Sequence, residues 1–150
     1  MKIQSECSKH MVEHTFEKVF PFGPEKMEKV WKALNKRETF CAGQPFPYQV
    51  EFETGLSTGD FHEGELNIHH GPLLSVHGAI GKITNDYRDL TYFYGSYVLS
   101  FRLVRPTRLE FFHEGENLRV RLTSYVRPWF KGIWDKGNQF FWKFFDRTVL

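Results

Sequence analysis

The chain has 150 residues, 41% of them hydrophobic and 25% charged, with a formal net charge of +2. That is enough sequence for one core-forming domain and too little charge to argue for nucleic-acid binding, and neither Cys7 nor Cys41 sits at a metal or redox spacing. The outlier is the aromatic fraction of 17%, because rigid rings bury much area, tile imperfectly and so often line cavities.

Residues 1–11 are polar and read as a flexible N-terminal extension. They lack the apolar segment of a secretory signal, which makes a cytoplasmic location the expectation. Residues 14–22 alternate as a strand, with Phe16, Phe20 and Phe22 on one side. Gly23-Pro24 then punctuates, and Pro24 suits the first turn of a helix. Over 24–38, Met27, Val30, Trp31 and Leu34 form one apolar stripe while Lys26, Glu28, Lys29 and Lys32 face water. A short second helix is expected over 37–42, ended by Gly43 and Pro45/Pro47.

From Tyr48 the period changes to two. Tyr48, Val50 and Phe52 alternate with Gln49, Glu51 and Glu53, and Leu66, Ile68 and His70 are expected to do the same. Further strands read over 74–84, over 90–104 as one bent strand or two joined near Gly95-Ser96, over 108–113, and around Leu118, Val120 and Leu122. The sequence Glu114-Gly115-Glu116-Asn117 is a tight-turn signal, and the short connections favour an antiparallel sheet. Residues 38–81 carry acidic groups without Lys or Arg, and 102–131 are Arg-rich. Mutual compensation on a solvated sheet face is the expected outcome.

The chain ends WFKGIWDKGNQFFWKFFDRTVL. Phe130, Ile133, Trp134, Gly137, Phe140, Phe141, Phe144 and Phe145 recur at three- and four-residue steps, which puts them on one helical face. That face needs a large apolar partner, and the strands are the only candidate. The helix is crossed by six charged residues, and nothing in the chain approaches the roughly 18 apolar residues of a membrane span.

The order of elements, the run Phe22-Gly23-Pro24-Glu25-Lys26-Met27-Glu28-Lys29-Val30-Trp31-Lys32-Ala33-Leu34 and the aromatic last helix together resemble the START-related, polyketide-cyclase-like ligand-binding superfamily (SRPBCC proteins). The resemblance implies an α+β helix-grip fold. In it, a curved antiparallel sheet of about seven strands wraps a long C-terminal helix, two short helices follow the first strand, and residues 1–150 form a single domain. It also implies an apolar cavity between sheet and helix, with functions ranging from lipid or hormone binding through aromatic cyclisation to chaperone assistance. Fold alone does not choose among these.

The residues expected to meet a ligand are Trp31, His70, His77, Tyr92, Tyr94, Phe130, Trp134, Gly137 and Phe141. Gly137 interrupts the aromatic face at about 1 kcal/mol relative to Ala, either leaving room for a ligand or receiving a bulky strand residue. Among His62, His69, His70 and His77, adjacent strand residues point to opposite faces. The group therefore reads against a metal site, with His70 or His77 as the inward polar anchor. Tyr87, Tyr92, Tyr94 and Tyr97 with Arg88 and Asp89 offer a cavity its hydrogen-bonding groups, and Arg105 or Arg127 before proline would suit a cavity mouth. Trp129 and Trp142 fall off the main face, where they would touch a membrane surface or a second subunit unless a loop covers them.

No nucleophile–base spacing, phosphate loop, metal site or cofactor motif is present. The leading expectation is a soluble protein, monomer or weak homodimer, that binds an apolar or amphipathic, lipid-like small molecule. The alternatives are a cofactorless enzyme of the cyclase type acting on a cyclic or aromatic substrate, and an interaction module with a filled core.

Overall fold

A computed structural model describes residues 10–44, 48–71, 74–97 and 103–149, without the side chains at 74, 94–97 and 148. Most of the N-terminal extension, residues 1–9, therefore lies outside the described residues. In chain order the elements are β1 (Val12–Pro21), α1 (Pro24–Ala33), α2 (Arg37–Cys41), β2 (Gln49–Phe52), β3 (Leu66–Gly71), β4 (Leu74–Ile83), β5 (Tyr87–Tyr97), β6 (Val104–Glu114) and β7 (Asn117–Val126). One 3-10 turn (Pro128–Phe130) then leads into α3 (Lys131–Trp142) and α4 (Phe145–Val149).

The seven strands form one sheet in the order β1-β7-β6-β5-β4-β3-β2, antiparallel throughout. Only β1 leaves sequence order, crossing past the helix pair to lie on β7. Alternation explains the strands: Leu118, Val120 and Leu122 of β7 turn inward and are at most 7% exposed, while Arg119 and Arg121 turn out. Gly23 precedes α1 at φ 79°, a conformation that favours glycine. Its N–H donates to the Glu116 carbonyl, tying the helix start to the β6–β7 turn. Met27, Val30, Trp31 and Leu34 then face the core together.

Two irregularities bend β4 where it meets β5, between His77 and Gly78 and between Ile80 and Ile83. Such bulges kink the strand and re-aim its side chains. Both use glycine for close approach: a Cβ at Gly78 would lie 2.8 Å from Leu90 Cδ1, and one at Gly81 would lie 2.1 Å from Asp89 Oδ1.

The terminal helical segment departs from its expected orientation. A turn at Lys143–Phe144 splits it into α3 and α4. Its buried side is Asn138, Trp142, Phe145 and Val149, each at most 6% exposed. Trp142 meets Phe111 of β6 edge-on, Phe145 stacks on the same ring, and Phe145 also meets Phe20 of β1. Trp129, Ile133, Phe140 and Phe141 instead face outward, with exposures of 42–69%. The packed stripe is the one whose Trp142 and Phe145 meet Phe111 and Phe20, and Asn138 can lie in it because its amide donates to the Trp134 carbonyl at 2.9 Å. A hydrogen bond of 2.7 Å between His14 on β1 and Asp135 holds α3 to the sheet edge.

Candidate functional site: a cavity on the inner face of the sheet

A space that the core does not fill lies on the inner face of the sheet, between α2 and β2–β6. The cavity measures about 40 Å3, room for about three or four waters at roughly 10–15 Å3 each. Its walls are mainly apolar, including Phe40, Phe52, Phe61, Leu90 and Phe111. Phe111 is shared with the Trp142 and Phe145 cluster, so the terminal segment adjoins the cavity through that ring, although no α3 residue lines it.

Four polar residues, Asn67, His69, Arg88 and Asp89, interrupt these walls, and the carboxylate of the last accepts from the Lys82 N–H and from Arg108 on the other side of the sheet. Asn67 and His69 come from β3, where registry opposite Gly78 and Val76 turns them inward. Asn67 is 7% exposed; its amide nitrogen lies 3.3 Å from His69 Nε2, and its Oδ1 has no hydrogen-bond partner. Burial, seconded by the His70 charge, lowers the His69 pKa to about 4, so the ring is neutral at pH 7. Tyr92 meets it edge-on at 5.7 Å.

The third group is Arg88, placed inward by registry opposite Phe111. Its guanidinium lies 4.1 Å from the Trp31 ring centre, Nη1 donates to the Trp31 carbonyl in the last turn of α1, and buried Nε has no partner. A cation at a helix C-terminus is favourable. Burial brings its pKa down to about 10, which leaves it charged at neutral pH.

Beneath this floor lies a fully paired charge. Glu65 has no exposed surface, and both its oxygens accept from Arg37 of α2, at 3.0 and 2.9 Å. It also accepts from the His62 N–H at 3.1 Å. Although burial opposes ionisation, the Arg37 guanidinium holds the carboxyl below the usual carboxylate range.

The expected ligand residues divide. Trp31 is buried beside Arg88, and Tyr92 and Trp134 pack against the core. His70 points outward and bonds Glu51 at 3.1 Å, and His77 pairs in register with Ile68 on that same outer side. The inward histidine is His69. Gly137 is exposed, and a Cβ added there would meet nothing within 4 Å. Phe141 is 42% exposed, edge-on to Tyr48, and Phe130 is half-buried against Trp129. The side chain of Tyr94 lies outside the described residues. The apolar set Leu66 and Ile68 misdirects the reading of β3, because the inner face at the cavity is the polar one. Gly78 on the adjoining strand marks this inner face, since a Cβ there would meet Asn67 and Leu90.

The outer face is charged and compensated, but the acidic partners of its arginines come from outside residues 38–81. Arg108 donates to Asp89 at 2.8 and 2.6 Å, Arg119 to Glu114 at 2.9 Å and Arg121 to Glu17 at 2.8 Å. Among the described residues, no three His, Cys, Asp or Glu are placed to hold a metal ion, and no helix is long and apolar enough to cross a membrane.

No protein-family model matches this chain, and no curated protein matches it in sequence. Its fold does have relatives. Norcoclaurine synthase from Thalictrum flavum, in a complex with dopamine and hydroxybenzaldehyde, superposes with a TM-score of 0.58 at 11% identity, covering 99% of this chain and 93% of that one. Ara h 8.0201 gives 0.56 at 16% identity, covering 92% and 96%. Mll3558 from Rhizobium loti gives 0.58 at 13% identity, covering 91% and 94%. The chain has the helix-grip fold of the SRPBCC, Bet v 1-like proteins.

Proposed function

We propose that this protein binds an apolar or amphipathic small molecule on the inner face of its sheet. The observation that carries this reading is a cavity with apolar walls in which Asn67 Oδ1 and Arg88 Nε are buried without partners. Unpaired buried polar atoms are costly, and a ligand oxygen or N–H would satisfy them. Burial of ligand carbon contributes about 25 cal/mol per Å2. At 40 Å3 the space admits only part of such a molecule, so binding entails outward movement of a wall such as α2. The complex of norcoclaurine synthase with two aromatic molecules supports the reading by analogy of fold.

Titration with the neutral probe N-phenyl-1-naphthylamine tests it. One molecule is expected to bind per chain, and Ile83→Trp, which fills the wall from a partly buried position, is expected to weaken binding at least about tenfold. Absent binding, or binding indifferent to that substitution, overturns the reading. The second reading, a cofactorless enzyme acting on a cyclic or aromatic substrate, is favoured by His69 of the cavity wall, which meets the Tyr92 ring behind it. A histidine with a pKa near 4 is a weak general base at pH 7, so binding is the stronger of the two.

A further inference from the structure

The partners of each arginine separate Arg88 from the others around it. Arg37, Arg108, Arg119 and Arg121 each meet a carboxylate. Arg88 meets only the face of Trp31 and a backbone carbonyl, and its Nε has no partner. The nearest anion acting on it, Asp60, is exposed and already 2.6 Å from Lys36. The other charged residue at the cavity, Asp89, turns to the outer face: Oδ1 accepts from the Lys82 N–H, and Oδ2 takes both nitrogens of Arg108. His69 is neutral. The cavity is thus an apolar space whose one unmatched formal charge, among the described residues, is a cation.

Buried cations are stable when paired and costly when not. Arg88 is only half-buried, and the Trp31 ring and carbonyl at the end of α1 partly stabilise it. Neither occupies Nε, and a guanidinium prefers a planar two-oxygen partner. The geometry points to an organic acid as the occupant: an apolar body that lies among Phe52, Leu90 and Phe111 and ends in a carboxylate at Arg88. This inference rests on the cavity-binding reading and narrows it to an anionic ligand class. Asn67 Oδ1 is a second, acceptor-only point, suited to a hydroxyl on the same molecule.

Isothermal titration with 2-naphthoate and with its methyl ester separates the two ideas, since both have the same apolar frame. The acid is expected to bind about 10- to 100-fold more tightly than the ester, the range of a charge-assisted hydrogen bond. Arg88→Met is expected to bring the acid down to the ester's affinity while leaving the ester within about threefold. Arg88→Lys, which keeps the charge without the fork, falls between. Equal affinities for acid and ester in the unaltered protein overturn the inference and leave cavity binding standing. Equal weakening of both ligands by Arg88→Met, with Arg88→Lys behaving like the unaltered protein toward both, also overturns it and marks Arg88 as a support of the wall. If neither compound nor N-phenyl-1-naphthylamine binds, both readings fall together.

Discussion

The two faces of this sheet hold the same kinds of charge in opposite conditions. Outside, Arg119 and Arg121 sit beside Glu114 and Glu17, at or near the solvent, where a lost partner is replaced by water; the exception is the buried carboxylate of Asp89, which Arg108 covers. Inside, Glu65 and Arg37 are sealed together, while Arg88 is half-buried and matched to a carbonyl and a ring. A charge on the outer face therefore contributes mainly to solubility and registry. On the inner face each one has a large effect, either on folding or on what is admitted. Function is to be sought where pairing is incomplete.

Three changes sharpen that contrast. The largest effect is expected from Glu65→Ala, which strands the buried Arg37 guanidinium and should cost about 3–5 kcal/mol, read as a drop in denaturation midpoint at constant slope. A smaller loss should come with acid. Below about pH 6.5 the unfolded chain takes up a proton at His69, and the folded chain resists until about pH 4. Unfolding is then favoured more with each step toward acid, by about 3 kcal/mol across the window. His69→Gln should flatten that part of the stability–pH curve. The Glu65 carboxyl, held low, adds its own loss only at lower pH. The smallest effect belongs to Arg121→Ala on the outer face, below about 1 kcal/mol and further reduced by salt. A loss there rivalling Glu65→Ala would break the comparison.

Much of the architecture is legible in the amino-acid pattern because its cues are local. Pro24 after a positive-φ glycine, the Met27–Val30–Trp31–Leu34 stripe and the alternation in β7 each need only their neighbours. The site is less legible because it reverses the usual sign of burial. On β3 the apolar residues Leu66 and Ile68 lie away from the cavity while Asn67 and His69 face it, so polarity selects the wrong face. Arg88 belongs to the polar cluster visible on β5, but its inward direction depends on pairing with Phe111 of β6, a long-range fact. The terminal segment misleads for a related reason. Its rings nearly encircle it, so spacing alone does not select a side, and the packed one is set by long-range contacts of Trp142 and Phe145 with Phe111 and Phe20.

The stacking of Arg88 on Trp31 has an optical consequence. Indole emission responds to nearby charge, and a guanidinium 4.1 Å from the Trp31 ring centre is close enough to affect it. Trp31 and Trp142 are 6% and 4% exposed and Trp129 is 67% exposed, so an aqueous quencher silences the outer tryptophan first. What remains includes an indole whose colour is tuned by the very cation that an incoming anion would neutralise. The molecule carries a built-in voltmeter for its own cavity.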